Sequence, residues 1–486
     1  MTTTIIVLII YLAAVFGIGL YNGRSGAKNE EDYYLGDRSF GPLPTAISMG
    51  ATDSSGWIFI GAIGYAYLAG PVSFWMYPGF AVAALINWLF IGPKLRKESV
   101  ELGALDLIDY FEKKIHKVTK DTTHTVKIIG AALVVLFFIP YMASQLTAAG
   151  KTIHSLVNVN YNAGLVFSAV FVTFYCFWGG YKSVIYTDFM QGSLMLLVFF
   201  IFPPLLVAKI GGWGIFWSAV QEIDPIMGTL TGGAAGSAAA GVILGFLFYG
   251  LGEFGQPQIL QRFFSARDDN TLKYGTIVSS LWMIGVMCGS SILGCLARVL
   301  INGLADAEYA FPLLVAQMMP PVVSGIVIGA IFAAVQSTFS SQLLVAVQAI
   351  ASNIIKPFSK KEYTDQQLVK IGKITMIVLC ILSTVIALMD IDSVFSLVVY
   401  AWSGLASAFG PLCILLIYRS HRVTKASAVT GMLIGVVVST AWYMAGFSVY
   451  CMELVPGMIA SWLAIEMVGG ASVKGAASDT GSAMKE

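Results

Sequence analysis

The stretch GATDSSGWIFIGA, residues 50–62, sets Asp53 and the hydroxyls of Thr52, Ser54 and Ser55 inside an otherwise apolar run, with Gly50 and Gly56 flanking them. An ionised carboxylate at bilayer depth costs several kcal/mol or more, so a functional role is its default reading. Backbone that leaves the helix at that depth survives only where protein or a water-filled cavity covers it. The segment is therefore expected to be an unwound turn facing the protein interior. YGLGEFGQP, residues 249–257, has the same character: three glycines, Glu253 in mid-run, and Pro257 placed to open a new half-helix while its ring pushes Gln256 out of helical geometry. The two breaks fall in the second and seventh apolar runs, and an offset of five reverses the chain direction. Paired breaks of opposite direction mark inverted repeats, in which half-helix N-termini attract an anionic group and freed carbonyls hold a sodium ion or a cationic group.

Working outward, the 486 residues are 57% hydrophobic and 11% charged, and runs long enough to cross a bilayer recur along them. The expected fold class is an all-α polytopic membrane protein. About thirteen transmembrane helices are expected, at residues 5–21, 43–70, 72–93, 127–149, 162–179, 188–208, 236–259, 273–300, 320–353, 369–389, 392–417, 426–447 and 456–472. With the N-terminus outside, only Lys151, Lys209 and Arg298 of the 28 basic residues face outward, and Arg262 falls in an inner loop. The positive-inside rule thus selects an external N-terminus and a cytoplasmic C-terminus in a plasma (inner) membrane.

The first run, residues 5–21, lacks a basic n-region and a small-residue cleavage site, so it is read as a retained helix. A short amphipathic helix is expected around residues 105–115, an external helix at 309–321, and a disordered cytoplasmic tail at 473–486. A net charge of +1 without basic stripes argues against nucleic acid, and no segment points to an obligate protein partner. The six cysteines form no C-x-x-C pair, and the four histidines fall in expected loops, so neither a disulfide framework, a haem nor a buried histidine relay has a candidate.

A third polar cluster, AAVQSTFSSQ at residues 333–342, places Ser337 and Thr338 together on the ninth helix. Uncharged oxygen donors suit a hard monovalent ion, whereas transition metals ask for histidine or cysteine. A channel would need polarity continuous through one pore, an enzyme a nucleophile with its base or a metal motif, and a sensor an added signalling domain. The sequence offers none of these.

Six stretches together resemble the sodium:solute symporters, and most closely their bacterial sodium/proline subgroup: YYLGDRSFGPLPTAISMGATDSSGW, FFIPYMAS, YTDFMQ, GLGEFGQPQILQRF, AAVQSTFSSQLLV and YAWSGLASAFGP. The resemblance covers nearly the whole chain. It implies a LeuT-type core of five plus five inverted helices, with one extra helix before it and two after. The corresponding division is residues 1–42 for the first helix and loop, 43–208 and 209–425 for the two repeats, 426–472 for the added helices and 473–486 for the tail. It also implies sodium as coupling ion, held by the carbonyls of Ala51, Ser54 and Ala334 and the hydroxyls of Ser337 and Thr338, with Asp53 and Asp188 as sodium-linked carboxylates. Arg38 matches a basic residue of the first cytoplasmic loop.

For the solute, the resemblance points to Ser55, Gly56, Trp57, Tyr141 and Pro257, with Tyr249 and Glu253 at the second break. At the last two positions proline transporters of the family carry Trp and then Tyr. Glu253 thus meets a solute ammonium, stays protonated or pairs elsewhere. The implied activity is sodium-coupled uptake of proline or a related amino acid; a different small solute, proton coupling and a channel are the alternatives.

Plainer roles stand beside these. Asp53 can cap the next half-helix. Ser337 and Thr338 can bond carbonyls of their own helix. Asp188 can be a solvated loop residue or an N-cap, Trp57 and Tyr141 packing or interfacial aromatics, and Glu253 a structural hydrogen-bonding residue.

Overall fold

The computed structural model describes residues 2–24, 27–359 and 363–482. Among these the chain is helical, with no strand and one isolated parallel bridge between Phe40 and Ala266. Among the described residues, ten helices are long and apolar enough to cross a membrane. Two of them exceed one crossing: Pro42–Leu102 has 61 residues and Tyr161–Lys209 has 49. Straight helices of that size would reach about 90 and 75 Å, against a hydrocarbon core of about 30 Å. Each is interrupted at a glycine with left-handed backbone, Gly70 at φ +70° and Gly180 at φ +55°. Both lie at the boundaries expected between apolar runs.

The amphipathic segment is the helix Leu107–Thr119, capped by Asp106, whose carboxylate accepts the Asp109 N–H at 2.7 Å. The segment 309–321 contains the short helix Ala310–Met318. Three expectations are corrected. His116 and His154 sit in last helical turns rather than loops. Arg262 belongs to the helix Pro257–Ser265 and is wholly buried, not in an inner loop. The backbone of the last helix runs from Leu454 to Ser482, into the stretch read as a disordered tail. Residues 483–486 lie outside the described residues.

The helix Pro321–Gln348 is the centre of the bundle, packed against Pro42–Trp57, Thr125–Val157 and Tyr161–Lys209. Its AAVQSTFSSQ segment is buried on every side. Such burial explains why hydroxyls and amides there bond across helices. The Gln336 Oε1 accepts from the Tyr11 hydroxyl and from Gln191 Nε2, each at 3.0 Å, and so fastens the N-terminal helix to the core. The opposite case is Asp365–Leu388, which exposes Ile374, Ile377, Val378, Ile381, Leu382 and Val385. That three-and-four spacing makes one apolar stripe, the face a lipid-contacting helix presents.

Candidate functional site

Both expected breaks are present. Within the helix Pro42–Trp57 the backbone leaves helical geometry at Ser55, with φ +53° and ψ −179°, a conformation costly for any residue carrying a Cβ. Two contacts hold it. The Ser55 Oγ accepts the Trp57 N–H at 3.0 Å, and the Gly56 N–H donates to Gln145 Oε1 at 2.8 Å. A Cβ on Gly56 would lie 2.8 Å from Val335 Cγ2, so the close approach of the break to the central helix requires glycine.

The second break is a tight turn over Gly250–Gly255, then Gln256 in extended geometry and Pro257 at the first position of the next helix. The Gln256 Nε2 donates to the carbonyls of Gly252, at 3.2 Å, and Trp402, at 3.0 Å. It thereby satisfies backbone that the broken ladder leaves open.

The first break faces the serine–threonine pair. Ser337 Oγ lies 3.0 Å from the Ala51 carbonyl and 3.1 Å from that of Ala334, and Thr338 Oγ1 donates to the Thr52 carbonyl at 2.7 Å. Four oxygens of the expected ion set, those of Ala51, Ala334, Ser337 and Thr338, therefore lie along this contact. Ser337 also makes the bond to its own helix that the plainer reading foresees; Thr338 reaches across. The fifth oxygen, the Ser54 carbonyl, accepts the Ile58 N–H across the break.

Polar atoms without protein partners gather around the two breaks. Neither carboxylate oxygen of Asp53 accepts a hydrogen bond, which removes the helix-capping role. Glu253 takes Asn87 Nδ2 on one oxygen at 3.1 Å and leaves the other bare. The Trp57 Nε1–H and the Tyr249 hydroxyl also lack partners. Buried polar groups are nearly always satisfied, so four such residues together mark a place built to receive polar ligands. Aromatic rings wall it: Trp57 stacks on Tyr249 at 6.1 Å and on Phe395 at 5.9 Å, and Tyr249 stacks on Trp402 at 6.1 Å. Tyr141 is buried.

Asp188 is not the solvated loop residue of the plainer reading. It is fully buried, and Arg262 Nη2 donates to its Oδ2 at 2.8 Å; Ser48 Oγ donates to the same oxygen at 2.7 Å. The guanidinium further donates to Thr52 Oγ1 at 2.7 Å, Ser341 Oγ at 2.5 Å and the Gln258 carbonyl at 2.7 Å. One cation thus joins the first broken helix, the Tyr161–Lys209 helix and the central helix. Burial removes the solvated-loop role for Asp188, and its place well inside the helix Tyr161–Lys209 removes the N-cap role.

Beneath this lock Arg38 pairs with Glu31 at 2.7 Å and donates to the Phe264 and Ala104 carbonyls, at 3.0 and 2.7 Å. Arg262, Gln145, Asn87 and Gln256 were not among the residues read from the sequence as site residues. A buried arginine next to a helix end looks like a loop cation, and lone amides carry no motif.

The sodium:solute symporter family model matches residues 33–435. The sodium/proline symporter of Escherichia coli (strain K12) is 33% identical, over 94% of this chain and 91% of its own length. The osmoregulated proline transporter of Bacillus subtilis (strain 168) is 30% identical, over 95% of this chain and 93% of its own. Among solved structures, a substrate-bound, outward-open Na+-coupled sialic acid symporter matches with a TM-score of 0.79 at 22% identity, covering 96% of this chain and 98% of that one. Mhp1 in its inward-facing conformation matches at 0.52 and 13% identity, covering 93% and 94%. These two likenesses concern the fold.

Proposed function

Because the chain belongs to the sodium:solute symporter family, and is a transporter rather than an enzyme, we propose that its sodium-coupled uptake serves proline or a related amino acid by alternating access. The observation that carries this reading is the cluster of unpartnered polar groups between the two breaks, beside the oxygens shared by Ala51, Ala334, Ser337 and Thr338. In this proposal sodium binds the carbonyls of Ala51, Ser54 and Ala334 and the two hydroxyls, rotating their protons away. Asp53 supplies the balancing charge. Asp188 acts at the inner exit when Arg262 releases it. The solute lies against Ser55, Gly56, Trp57, Tyr141, Tyr249 and Pro257, its ammonium toward Glu253 and its carboxylate toward the freed N–H groups of a half-helix.

The architecture we propose has thirteen crossings in a 5+5 inverted-repeat core with one helix before and two after. The ten candidate spans reach that number when Pro42–Leu102 and Tyr161–Lys209 each count twice and Leu454–Gly470 is added. Charge distribution in the loops supports an external N-terminus and a cytoplasmic C-terminus in the inner membrane. The repeats are residues 43–208 and 209–425, after the entry segment 1–42 and before the added helices 426–472 and the tail 473–486.

Ion and solute binding reinforce each other, because both stabilise the same first break, and the two couplings are equal. A potential of about 100 mV supplies roughly 2.3 kcal/mol per charge, and a tenfold sodium gradient about 1.4 kcal/mol. One sodium per neutral solute then supports accumulation of roughly 500-fold. Uptake of labelled proline, other amino acids and small carboxylates into proteoliposomes, with and without a sodium gradient, tests the reading. Uphill, sodium-dependent proline uptake is expected. Accumulation driven by a proton gradient and indifferent to sodium would overturn the ion assignment, and response to a different solute alone would overturn the substrate.

A further inference from the structure

The polar atoms left open between the two breaks are unequal in kind. Asp53 offers both of its oxygens, Glu253 its Oε1, and Asn87, whose Nδ2 holds the other Glu253 oxygen at 3.1 Å, its own Oδ1. The open donors beside them are the Trp57 Nε1–H and the Tyr249 hydroxyl. At the first break the N–H groups of Gly56, Trp57 and Ile58 are already taken, by Gln145 Oε1, Ser55 Oγ and the Ser54 carbonyl. Acceptors thus outnumber donors, and the ligand that completes the cluster brings N–H groups.

The charges are as unequal. The ionisable group that faces Glu253 is Asp53, a like charge. Among the described residues no lysine, arginine or histidine pairs with either carboxylate, and the buried cation Arg262 is held by Asp188 at 2.8 Å. One sodium ion at the proposed ion set balances one carboxylate. A zwitterion such as proline adds no net charge, so the second carboxylate stays uncompensated where Asp53 is 6% and Glu253 1% exposed. Burial makes that arrangement costly. A solute with one positive charge in excess closes the balance and supplies the donors that the oxygens lack. The walls suit the same ligand. The rings of Trp57, Phe80, Tyr249 and Trp402 form a run of contacts with centroids 5.3 to 6.4 Å apart, and ring faces attract cations.

We infer, on the reading of this cluster as the solute site, that the solute is a small amino compound of net positive charge, one whose carboxylate is capped or outweighed by a second cationic group, and that Glu253 selects it over a zwitterion. Proline then binds as the weaker ligand. One sodium ion with one such solute carries two positive charges inward, where sodium with proline carries one.

The test is titration calorimetry on the full chain in nanodiscs at saturating sodium, with three ligands. L-proline is the zwitterion; L-prolinamide shares its ring and ammonium but has a neutral amide for the carboxylate; cis-4-amino-L-proline keeps the carboxylate and adds a second ammonium. The parent should bind both cations about ten- to a hundredfold more tightly than proline, the worth of one charge-assisted contact. Glu253→Gln should bring all three to within about threefold of one another, by weakening the cations while proline holds or gains. The comparison on the unaltered protein stands even if Glu253→Gln fails to fold. Proline bound by the parent as tightly as either cation, no measurable binding of any of the three, or a preference for the cations that survives Glu253→Gln would each overturn the inference. Sodium-driven accumulation of proline without preference for the cations would end this inference and leave the uptake reading standing, whereas preference for the cations with uptake indifferent to sodium would do the reverse.

Discussion

Asp188 and Asp53 stand on helices packed against each other, and the fold treats their carboxylates in opposite ways. Asp188 has an arginine, a serine and a threonine around one oxygen, with the Arg262 side chain as fully enclosed as its own. Asp53 is nearly as buried and has nothing. A paired buried charge holds elements together; an unpaired one at a helix break, beside carbonyls and hydroxyls, is the carboxylate that the proposed function assigns to a cation arriving from outside the protein. The two stations are joined by Thr52, whose carbonyl accepts from Thr338 at the ion set while its hydroxyl accepts from Arg262 at the lock. In the proposed function, filling one station bears on the other through this single residue.

Removing the cation of the paired station should have the largest effect. Arg262→Ala leaves Asp188 buried and uncompensated, which is expected to cost about 3–5 kcal/mol of stability. The double variant Arg262→Gln with Asp188→Asn removes both charges and should recover most of that loss. Chemical unfolding in detergent measures both, and an Arg262→Ala protein as stable as the parent would break the contrast. The unpaired station should answer the other way. Asp53→Asn removes no protein contact, so stability should hold, while sodium-driven uptake falls by about a hundredfold or more through loss of a charge a few ångströms from the ion. Equal sodium activation curves for parent and variant would count against Asp53 as the balancing charge.

A smaller loss is expected for Thr338→Val, which keeps shape and removes one oxygen. At about 1 kcal/mol for a single neutral donor, half-maximal activation should need roughly five- to tenfold more sodium. Solute affinity measured at saturating sodium should stay near that of the parent. A shift in solute affinity alone would place Thr338 in the solute pocket instead.

The sequence was most legible where physics leaves few options. Glycines bracketing Asp53, and a proline after Gly-rich residues 250–255, announced both breaks, because backbone in hydrocarbon has so few ways to be irregular. Ser337 and Thr338 were visible as adjacent hydroxyls in an apolar helix. Arg262 was not: its nearest apolar run ends at residue 259, and only the tertiary packing of three other elements reveals that its charge is enclosed. Gln145 and Asn87 escaped for a related reason. A single amide in a long helix becomes informative only when its partner, the Gly56 N–H or the Glu253 carboxylate, is brought beside it by the fold.

The smallest effect sharpens the comparison by its sign. The Tyr249 hydroxyl is buried and makes no hydrogen bond, so in the protein alone it carries a desolvation cost with no return. Tyr249→Phe keeps the ring that stacks on Trp57 and Trp402 and removes only that oxygen. Stability should therefore stay level or rise by up to about 1 kcal/mol, the reverse of what deleting a member of the Arg262 cluster does. If the hydroxyl is there for the solute, the same change should raise the KM for uptake roughly three- to fivefold with sodium activation unaltered. Thermal unfolding and solute-dependent uptake, measured on one preparation, decide it: a variant that is destabilised while its KM is unchanged would make Tyr249 part of the scaffold, bonded in some other state of the transport cycle, and would leave Asp53 and Glu253 as the polar groups that wait for a ligand.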